Sequence, residues 1–254
     1  MMSVLPRLYF IIPVFNESAN VPQLLANLTA LWRDLQSQFE CKIYFIDDGS
    51  TDHTPAEILT NRDKLPVEVL QHEMNQGPGT AFATGFRHIV PQLMPMDWVV
   101  TLEGDNTSGL HTLRQMLFRR LEGFEVVLAS PYAYGGGITQ TSLIRVFLSH
   151  VANTLVKELL GIRGILTMSS FFRLYSAEVL KRLEKRFGPT LIESPGFECM
   201  VELLAKLIKV EATISEVAMV LDGSQRVGKS KMRVFRTMRG YFRVFRMRKK
   251  LGLT

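Results

Sequence analysis

The chain has few cysteines and no long apolar run. Cys41 and Cys199 are the only cysteines in 254 residues, too few for a disulfide framework and too far apart for a zinc motif. No stretch approaches the roughly 20 apolar residues that span a bilayer. The apolar run 8–15 is short and contains Pro13, so it predicts a first strand rather than a signal peptide. These absences predict a cytoplasmic protein with reduced thiols.

Acidic residues are absent from the C-terminal segment. From Arg226 onward there are eleven Lys or Arg residues and no Asp or Glu, so residues 1–225 hold 19 of the 30 basic residues and all 24 acidic ones, a net charge of −5. We therefore expect two parts, a mildly acidic domain over residues 1–225 and a basic segment over 226–254. Such asymmetry suggests an anionic partner for the basic segment.

The basic segment has the pattern of an amphipathic helix over residues 230–251. Aromatic and apolar residues recur there at helical spacing, namely Phe235, Met238, Phe242 and Phe245. A stripe of arginines lies beside them. A helix of this kind suits an anionic membrane surface. The alternatives are a helix packed on the body and nonspecific contact with nucleic acid. We expect peripheral binding to the cytoplasmic face of a membrane, with no nucleic-acid partner.

The rest of the chain alternates strand and helix patterns, which is typical of an α/β fold with a mostly parallel sheet. The strands are expected at residues 7–14, 42–47, 67–71, 97–102, 125–129 and 167–174, with an extended stretch at 210–220. The helices are expected at residues 20–38, 54–61, 80–90, 110–120, 141–160, 177–185 and 197–207. A glycine-rich break at 134–137 is a candidate mobile loop.

Two acidic clusters directly follow predicted strands, at residues 47–52 and 103–106. The carboxyl ends of parallel strands are where α/β sheets bind ligands. Close carboxylates require a compensating cation, so the clusters predict a metal and nucleotide site. Glu103 and Asp105, separated by Gly104, are spaced to share one ion. In the first cluster Asp48 is the better candidate for ligand contact, while Asp52 suits a helix cap or turn.

Each of these motifs also has a purely structural interpretation. Either acidic cluster suits a solvated turn, and Pro13 with Phe15 suits an ordinary strand end. Gly77, Gly79 and Gly85 favour close backbone approach, either to a phosphate or to the neighbouring strand.

Taken in order, the motifs resemble those of the family 2 glycosyltransferases with the GT-A fold. The pattern consists of Ile-Pro-x-Phe-Asn-Glu from Ile12, Asp-Asp-Gly-Ser-Thr-Asp from Asp47, Asn-x-Gly-x-Gly-x-Ala from Asn75 and Glu-Gly-Asp from Glu103. Later segments resemble the dolichyl-phosphate or polyprenyl-phosphate mannosyl- and glucosyltransferase branch. They comprise Arg145-x-x-x-Ser149-x-x-x-Asn153, Ser-Ser-Phe-Phe-Arg ending at Arg173, and Gly228-x-Ser230-Lys231.

The resemblance implies a Rossmann-like, mixed and mostly parallel sheet flanked by helices, and it implies roles for individual residues. The nucleoside would be held by Pro13, Phe15, Glu17, Ile46 and Asp48. Glu103, Gly104 and Asp105 would hold the diphosphate and the metal, Mg²⁺ or Mn²⁺. Arg145, Arg226 and Lys231 would face the sugar diphosphate or the acceptor phosphate.

The chain departs from the family pattern at Glu103, where aspartate is usual, at Thr167 and Phe171, and in the spacing of Arg226. The expected reaction is inverting transfer of a hexose from a GDP- or UDP-sugar to a polyprenyl phosphate, with Asp105, Arg145 and Glu202 as catalytic candidates. A hydroxyl acceptor would instead need a base, for which Glu198 or Glu202 is the candidate. A non-catalytic nucleotide- or nucleic-acid-binding module is the remaining alternative.

Overall fold

A computed structural model describes residues 5–61, 63–140 and 143–228. Its core is a seven-stranded sheet in the order β3-β2-β1-β4-β7-β5-β8, with a separate two-stranded sheet of β6 and β9. The strands are β1 Arg7–Val14, β2 Glu40–Asp47, β3 Val67–Gln71, β4 Trp98–Thr101, β5 Val126–Ser130, β6 Gly137–Thr139, β7 Arg173–Ser176, β8 Ile214–Ala218 and β9 Val220–Asp222. The helices are α1 Val21–Leu35, α2 Thr54–Leu59, α3 Pro78–Ile89, α4 Thr112–Leu121, α5 Leu143–Leu160, α6 Ala177–Phe187 and α7 Cys199–Lys209.

Helices cover both faces of the sheet, which is why β1, β4 and β5 are nearly continuous apolar runs. Along β1, Tyr9 and Ile11 enter the core that lies beneath α3, α6 and α7. Phe10 and Ile12, on the opposite face, enter the core beneath α1 and α4. The predicted mixed and mostly parallel sheet is confirmed, with β7 as the antiparallel strand between β4 and β5.

The strand order reverses between β1 and β4. From β1 the chain moves outward to β2 and β3, then returns to place β4 on the other side of β1. The carboxyl ends of β1 and β4 therefore lie side by side where the strand order reverses, and we call the region above them the crevice, since ligands of open α/β sheets usually bind at this point.

The predicted strand over residues 167–174 is wrong. The strand β7 spans Arg173–Ser176, and residues 167–172 form an irregular loop. Their apolar side chains are nevertheless buried, with Met168 and Phe171 in one core and Phe172 in the other. Burial in a loop therefore produced the same apolar pattern as a buried strand.

The predicted helix over residues 230–251 lies outside the described residues. Of the helices that the structure describes, none combines the length and the apolarity that crossing a bilayer requires.

Helix α3 packs directly on β1 at Gly85. A Cβ atom at this position would lie 2.4 Å from Cγ2 of the buried Ile11. We expect Gly85→Ala to lower the free energy of unfolding by about 1–2 kcal/mol, because the overpacking cost exceeds the gain of up to about 1 kcal/mol in helix propensity. Urea denaturation followed by circular dichroism measures the change. Gly137→Ala, whose Cβ would meet nothing within 4 Å, is the control, and equal stability of both variants with the parent would contradict this packing.

Candidate active site at the carboxyl ends of the strands

Asp48 is buried behind β2 and fixes the loop between β3 and α3. Its Oδ1 accepts a hydrogen bond from the Gln76 N–H (3.0 Å) and lies 2.8 Å from Nδ1 of His72. Its Oδ2 accepts from the N–H of Gly77 at 2.7 Å. Because charged acceptors make strong hydrogen bonds, Asp48 determines the position of this loop at the edge of the crevice.

The glycines of that loop pack on protein rather than facing solvent. A Cβ at Gly77 would lie 2.4 Å from the carbonyl oxygen of Pro195, and one at Gly79 would lie 1.9 Å from that of Ser194. The N–H of Gly79 donates to the Pro195 carbonyl at 2.8 Å. The close approach predicted from sequence is therefore made to the loop before α7.

Asp52 forms the turn that begins α2, as predicted. Its Oδ1 accepts from the N–H and the hydroxyl of Thr54 (3.0 and 2.5 Å), and its Oδ2 accepts from the Ser18 N–H at 3.2 Å. Burial tends to raise the pKa of this carboxyl, but the hydrogen bonds from Thr54 and Ser18 outweigh it and lower the pKa. Asp52 thus ties the loop after β1 to the loop after β2.

The first candidate nucleoside residues lie at the end of β1. Pro13, Phe15 and Glu17 are half-buried there. Ile46 pairs with Pro13 in the parallel register and is fully buried in the core. Its side chain therefore lies in the core, next to the carboxyl end of β1.

In the loop after β4, the structure describes one carboxylate that is more than nine-tenths buried, that of Asp105. Its Oδ1 accepts from the N–H and hydroxyl of Thr107 at 3.1 and 2.7 Å. Its Oδ2 forms an ion pair with the guanidinium of Arg226. Gly104 precedes it without room for a side chain, since a Cβ would lie 2.7 Å from Cγ1 of Val14. The end of β1 and the acidic loop are thus in direct contact.

Arg226 lies in the field of several carboxylates. Burial tends to lower the pKa of its guanidinium, but the charges of Asp105, Glu103 and Glu17 outweigh burial and raise that pKa. Three segments that are distant in sequence therefore bring their charges to one place, at the carboxyl ends of β1 and β4.

A residue that the sequence did not single out holds this assembly together. Asn20, 2% exposed, forms two hydrogen bonds with the backbone of Val227, the residue after Arg226. Sequence reasoning assigned Asn20 only to a helix start. Val227 lies 207 residues away along the chain, and no local spacing signals the contact.

A small pocket opens beside Glu103 and has a volume of 140 Å³. Its walls are mostly apolar with a few hydroxyl groups, and its lining residues are Glu103, Ser108, Pro131, Tyr132, Ile138, Thr167, Ser169, Ser170, Phe171, Phe197, Met219 and Leu221. The lining, with few polar groups in an apolar wall, is that of a ligand pocket, while the volume is below the roughly 300–1,000 Å³ of sites that enclose a small molecule.

The loop 166–170 forms one wall of the pocket and is held by side chains on two other elements. Asn153, on α5, donates to the carbonyl of Leu166 (2.6 Å) and accepts from the N–H of Met168 (2.9 Å). Glu216, on β8, accepts from the N–H groups of Leu166 and Thr167 at 2.6 and 2.8 Å. Where the family pattern has an acidic residue, Thr167 is thus contacted by the carboxylate of Glu216.

Arg173, the last residue of the Ser-Ser-Phe-Phe-Arg motif, is fully buried. It donates to the carbonyls of Ser170, Met200 and Met168 at 2.6, 2.9 and 2.9 Å. This motif therefore supports the pocket wall from behind and joins it to α7.

The remaining candidate cations are outside the described part of the structure. Arg145 lies in α5, but its side chain is not among those described, and Lys231 falls beyond residue 228.

The candidate base Glu202 is fully buried in α7. Its oxygens accept from the N–H groups of Glu193 and Ser194 at 2.9 and 2.8 Å, and Lys206 Nζ lies 2.7 Å from Oε1. The second candidate, Glu198, is 4% exposed. The carboxylate of Glu202 is enclosed and paired, so it has no open side toward a substrate hydroxyl. Instead it holds the loop that Gly77 and Gly79 contact.

Glu103 and Asp105 have the chemistry that a divalent cation requires. Carboxylate oxygens are hard ligands that suit Mg²⁺ and Mn²⁺, and the Arg226 guanidinium already compensates negative charge beside Asp105. Within the described residues, no group of three or more His, Cys, Asp or Glu side chains is arranged around one point. Mg²⁺ in nucleotide enzymes is usually held by one or two carboxylates with substrate phosphates, so this pair fits such an ion.

The sequence is similar to a known family and to characterised proteins. The family model described as Glycosyl transferase family 2 matches residues 9–184. The polyprenol monophosphomannose synthase of Mycolicibacterium smegmatis is 26% identical over 236 residues, covering 89% of this chain and 81% of that protein. The undecaprenyl-phosphate 4-deoxy-4-formamido-L-arabinose transferase of Pseudomonas paraeruginosa is 33% identical over 120 residues, 46% of this chain and 33% of that protein.

Solved structures share the fold. Glucosyl-3-phosphoglycerate synthase from Mycobacterium tuberculosis, crystallised with Mn²⁺, uridine diphosphate and phosphoglyceric acid, superposes with a TM-score of 0.66. The superposition covers 98% of this chain and 80% of that one, at 16% sequence identity.

The buried pair of Glu202 and Lys206 provides a test that separates a structural from a catalytic glutamate. We expect Lys206→Met to destabilise the protein by about 3–5 kcal/mol, because it leaves a buried charge unpaired. Adding Glu202→Gln should recover part of that loss, since the amide still accepts a backbone hydrogen bond and carries no charge. Urea denaturation measures both changes, with the exposed Lys185→Met as the control.

The same double variant reports on catalysis. If Glu202 is structural, the folded Glu202→Gln, Lys206→Met protein keeps its turnover. A folded double variant that has lost turnover would instead return Glu202 to the list of catalytic residues.

Proposed function

The chain belongs to glycosyl transferase family 2 and is a glycosyltransferase, and from this premise we propose that it transfers a hexose from a nucleoside diphosphate sugar to a polyprenyl phosphate, with inversion at the anomeric carbon. The observation that carries the proposal is the match to the polyprenol monophosphomannose synthase over 89% of this chain. The second relative, whose name also specifies a polyprenyl phosphate, supports the same acceptor class.

We propose that the nucleoside binds in the crevice at the ends of β1 and β2. Phe15 and Pro13 would contact the base, while Glu17 and Asp48 would bind polar groups of the nucleoside. Both carboxylate oxygens of Asp48 accept hydrogen bonds from the β3–α3 loop. Asp48 would therefore also fix the wall of the crevice in which the nucleoside binds. Ile46 would form the floor.

The donor diphosphate is assigned to the acidic loop after β4. Glu103 and Asp105 would hold Mg²⁺ or Mn²⁺, with Gly104 allowing close approach to the end of β1. The ion, when bound, neutralises the diphosphate leaving group. Arg226, already at this position, would add its charge to the same diphosphate, together with Arg145 and Lys231.

The acceptor would enter through the pocket beside Glu103. A phosphate acceptor is already anionic and attacks without a strong general base, which agrees with the enclosed position of Glu202. A hydroxyl acceptor would require a base, and the burial of Glu198 and Glu202 makes this alternative less favourable.

We further propose that residues 1–225 form the catalytic domain and that residues 226–254 combine a closing motif with a helix on the membrane surface. The anionic cytoplasmic leaflet attracts basic segments, and a lipid-linked acceptor requires an enzyme at that surface.

A donor and acceptor screen tests the proposed reaction. Purified protein with Mn²⁺ and polyprenyl phosphate is given GDP-mannose, UDP-glucose and related donors, and release of nucleoside diphosphate is measured. We expect one donor to be consumed only when the lipid phosphate is present. Asp105→Asn should lower turnover by about 100-fold or more, as loss of a main transition-state electrostatic contact does. Transfer to a saccharide in place of the lipid phosphate would contradict the proposal.

Flotation with liposomes tests the membrane assignment. We expect the protein to float with vesicles that contain anionic lipid at low salt, and less at high salt because the attraction is screened. Phe242→Ser with Phe245→Ser should weaken binding by removing the apolar stripe while leaving the charge unchanged. A protein that stays in the soluble fraction at both salt concentrations would contradict the assignment.

A further inference from the structure

Residues 226–228, which we call the closing segment, are held in place by one buried side chain, that of Asn20 at the start of α1. The amide nitrogen of Asn20 donates to the Val227 carbonyl at 3.2 Å, and the Val227 N–H donates to Oδ1 of Asn20 at 2.8 Å. A side-chain amide that both donates to and accepts from one residue fixes the orientation of that backbone as well as its position.

Asn20 is itself anchored to both loops of the site. Its Nδ2 donates to the carboxylate of Glu17 at 2.5 Å, and its backbone carbonyl oxygen accepts from Nδ2 of Asn106 at 2.9 Å. Asn106 follows Asp105 and has a φ of 62°, which non-glycine residues seldom adopt. The loop after β1, the acidic loop and the closing segment therefore meet at Asn20.

This arrangement determines where the charge of Arg226 lies. Because Val227 is fixed, the preceding residue is directed toward the acidic loop, where its guanidinium pairs with Oδ2 of Asp105. The pair is largely shielded from solvent, with side-chain exposures of 22% for Arg226 and 9% for Asp105. Arg226 thus supplies at Asp105 the positive charge that a divalent ion would supply.

We propose that Asn20 is a positioning residue that holds Arg226 against Asp105 as an internal counter-cation, so that a divalent ion binds the acidic loop only by displacing Arg226. The inference rests on the metal-dependent function proposed above. Oδ1 of Asp105 already accepts two hydrogen bonds from Thr107, and a divalent ion at Oδ2 would repel the guanidinium of Arg226. The apparent affinity for the ion is therefore reduced by the fraction of molecules in which the pair is closed. Displacement releases the guanidinium for the donor diphosphate.

Mn²⁺ binding to the full chain without nucleotide, measured by electron paramagnetic resonance of free Mn²⁺, tests this competition. We expect Arg226→Gln to bind Mn²⁺ about tenfold more tightly than the parent, because a charge-assisted contact no longer has to be broken. Asn20→Ala should also tighten binding. In the Arg226→Gln background, however, Asn20→Ala should have no further effect, since the two changes act through one contact.

Asn27→Ala is the matched control, because Asn27 lies in α1, the helix that Asn20 precedes, and accepts a hydrogen bond from Gln23 at the surface. Unchanged or weaker Mn²⁺ binding by Arg226→Gln would overturn the counter-cation. An equal effect of Asn20→Ala in both backgrounds would overturn its positioning role. If no variant bound Mn²⁺ even with GDP or UDP added, the metal-dependent function itself would be wrong. If the parent bound Mn²⁺ and Arg226→Gln left that affinity unchanged, only this inference would be wrong.

Discussion

The ion pair between Asp105 and Arg226 is the contact on which the site depends. It joins the loop after β4 to the segment after β9, and it does so between groups that are largely shielded from water. A buried carboxylate near Glu103 and Glu17 needs a compensating cation, since unpaired charges are costly inside a protein.

The surrounding framework is a chain of buried polar contacts. Asp48 holds the β3–α3 loop, and the glycines of that loop pack on Ser194 and Pro195. Glu202 in turn holds the 193–194 backbone. These contacts connect the loop at the edge of the crevice to α7. Asp48 and Glu202, which were candidate site residues in the sequence, both hold loops in place. Rigid support of this kind allows a site to hold its charges in position.

Local patterns predicted the sheet well because its central strands are buried on both faces and its strands are bounded by turn residues. The strands β1 and β3 have the predicted bounds, and Asp52 makes the predicted turn. The sequence could not indicate the role of Asn20, because its contact with Val227 joins residues 207 apart. Glu202 and Lys206 have the i, i+4 spacing of a helical ion pair, but the burial of that pair depends on tertiary packing. The loop 167–172 was misread for a related reason: its apolar residues are buried by tertiary packing, and not by strand pairing.

Anomalous scattering from Mn²⁺ in crystals grown with a nucleoside diphosphate tests the central claim most directly. The account predicts one strong peak beside Asp105 and Glu103, with the diphosphate completing the ligands and the Arg226 guanidinium moved off Oδ2 of Asp105. A nucleotide bound in the crevice with the Asp105–Arg226 pair intact and no Mn²⁺ peak at the acidic loop would contradict it.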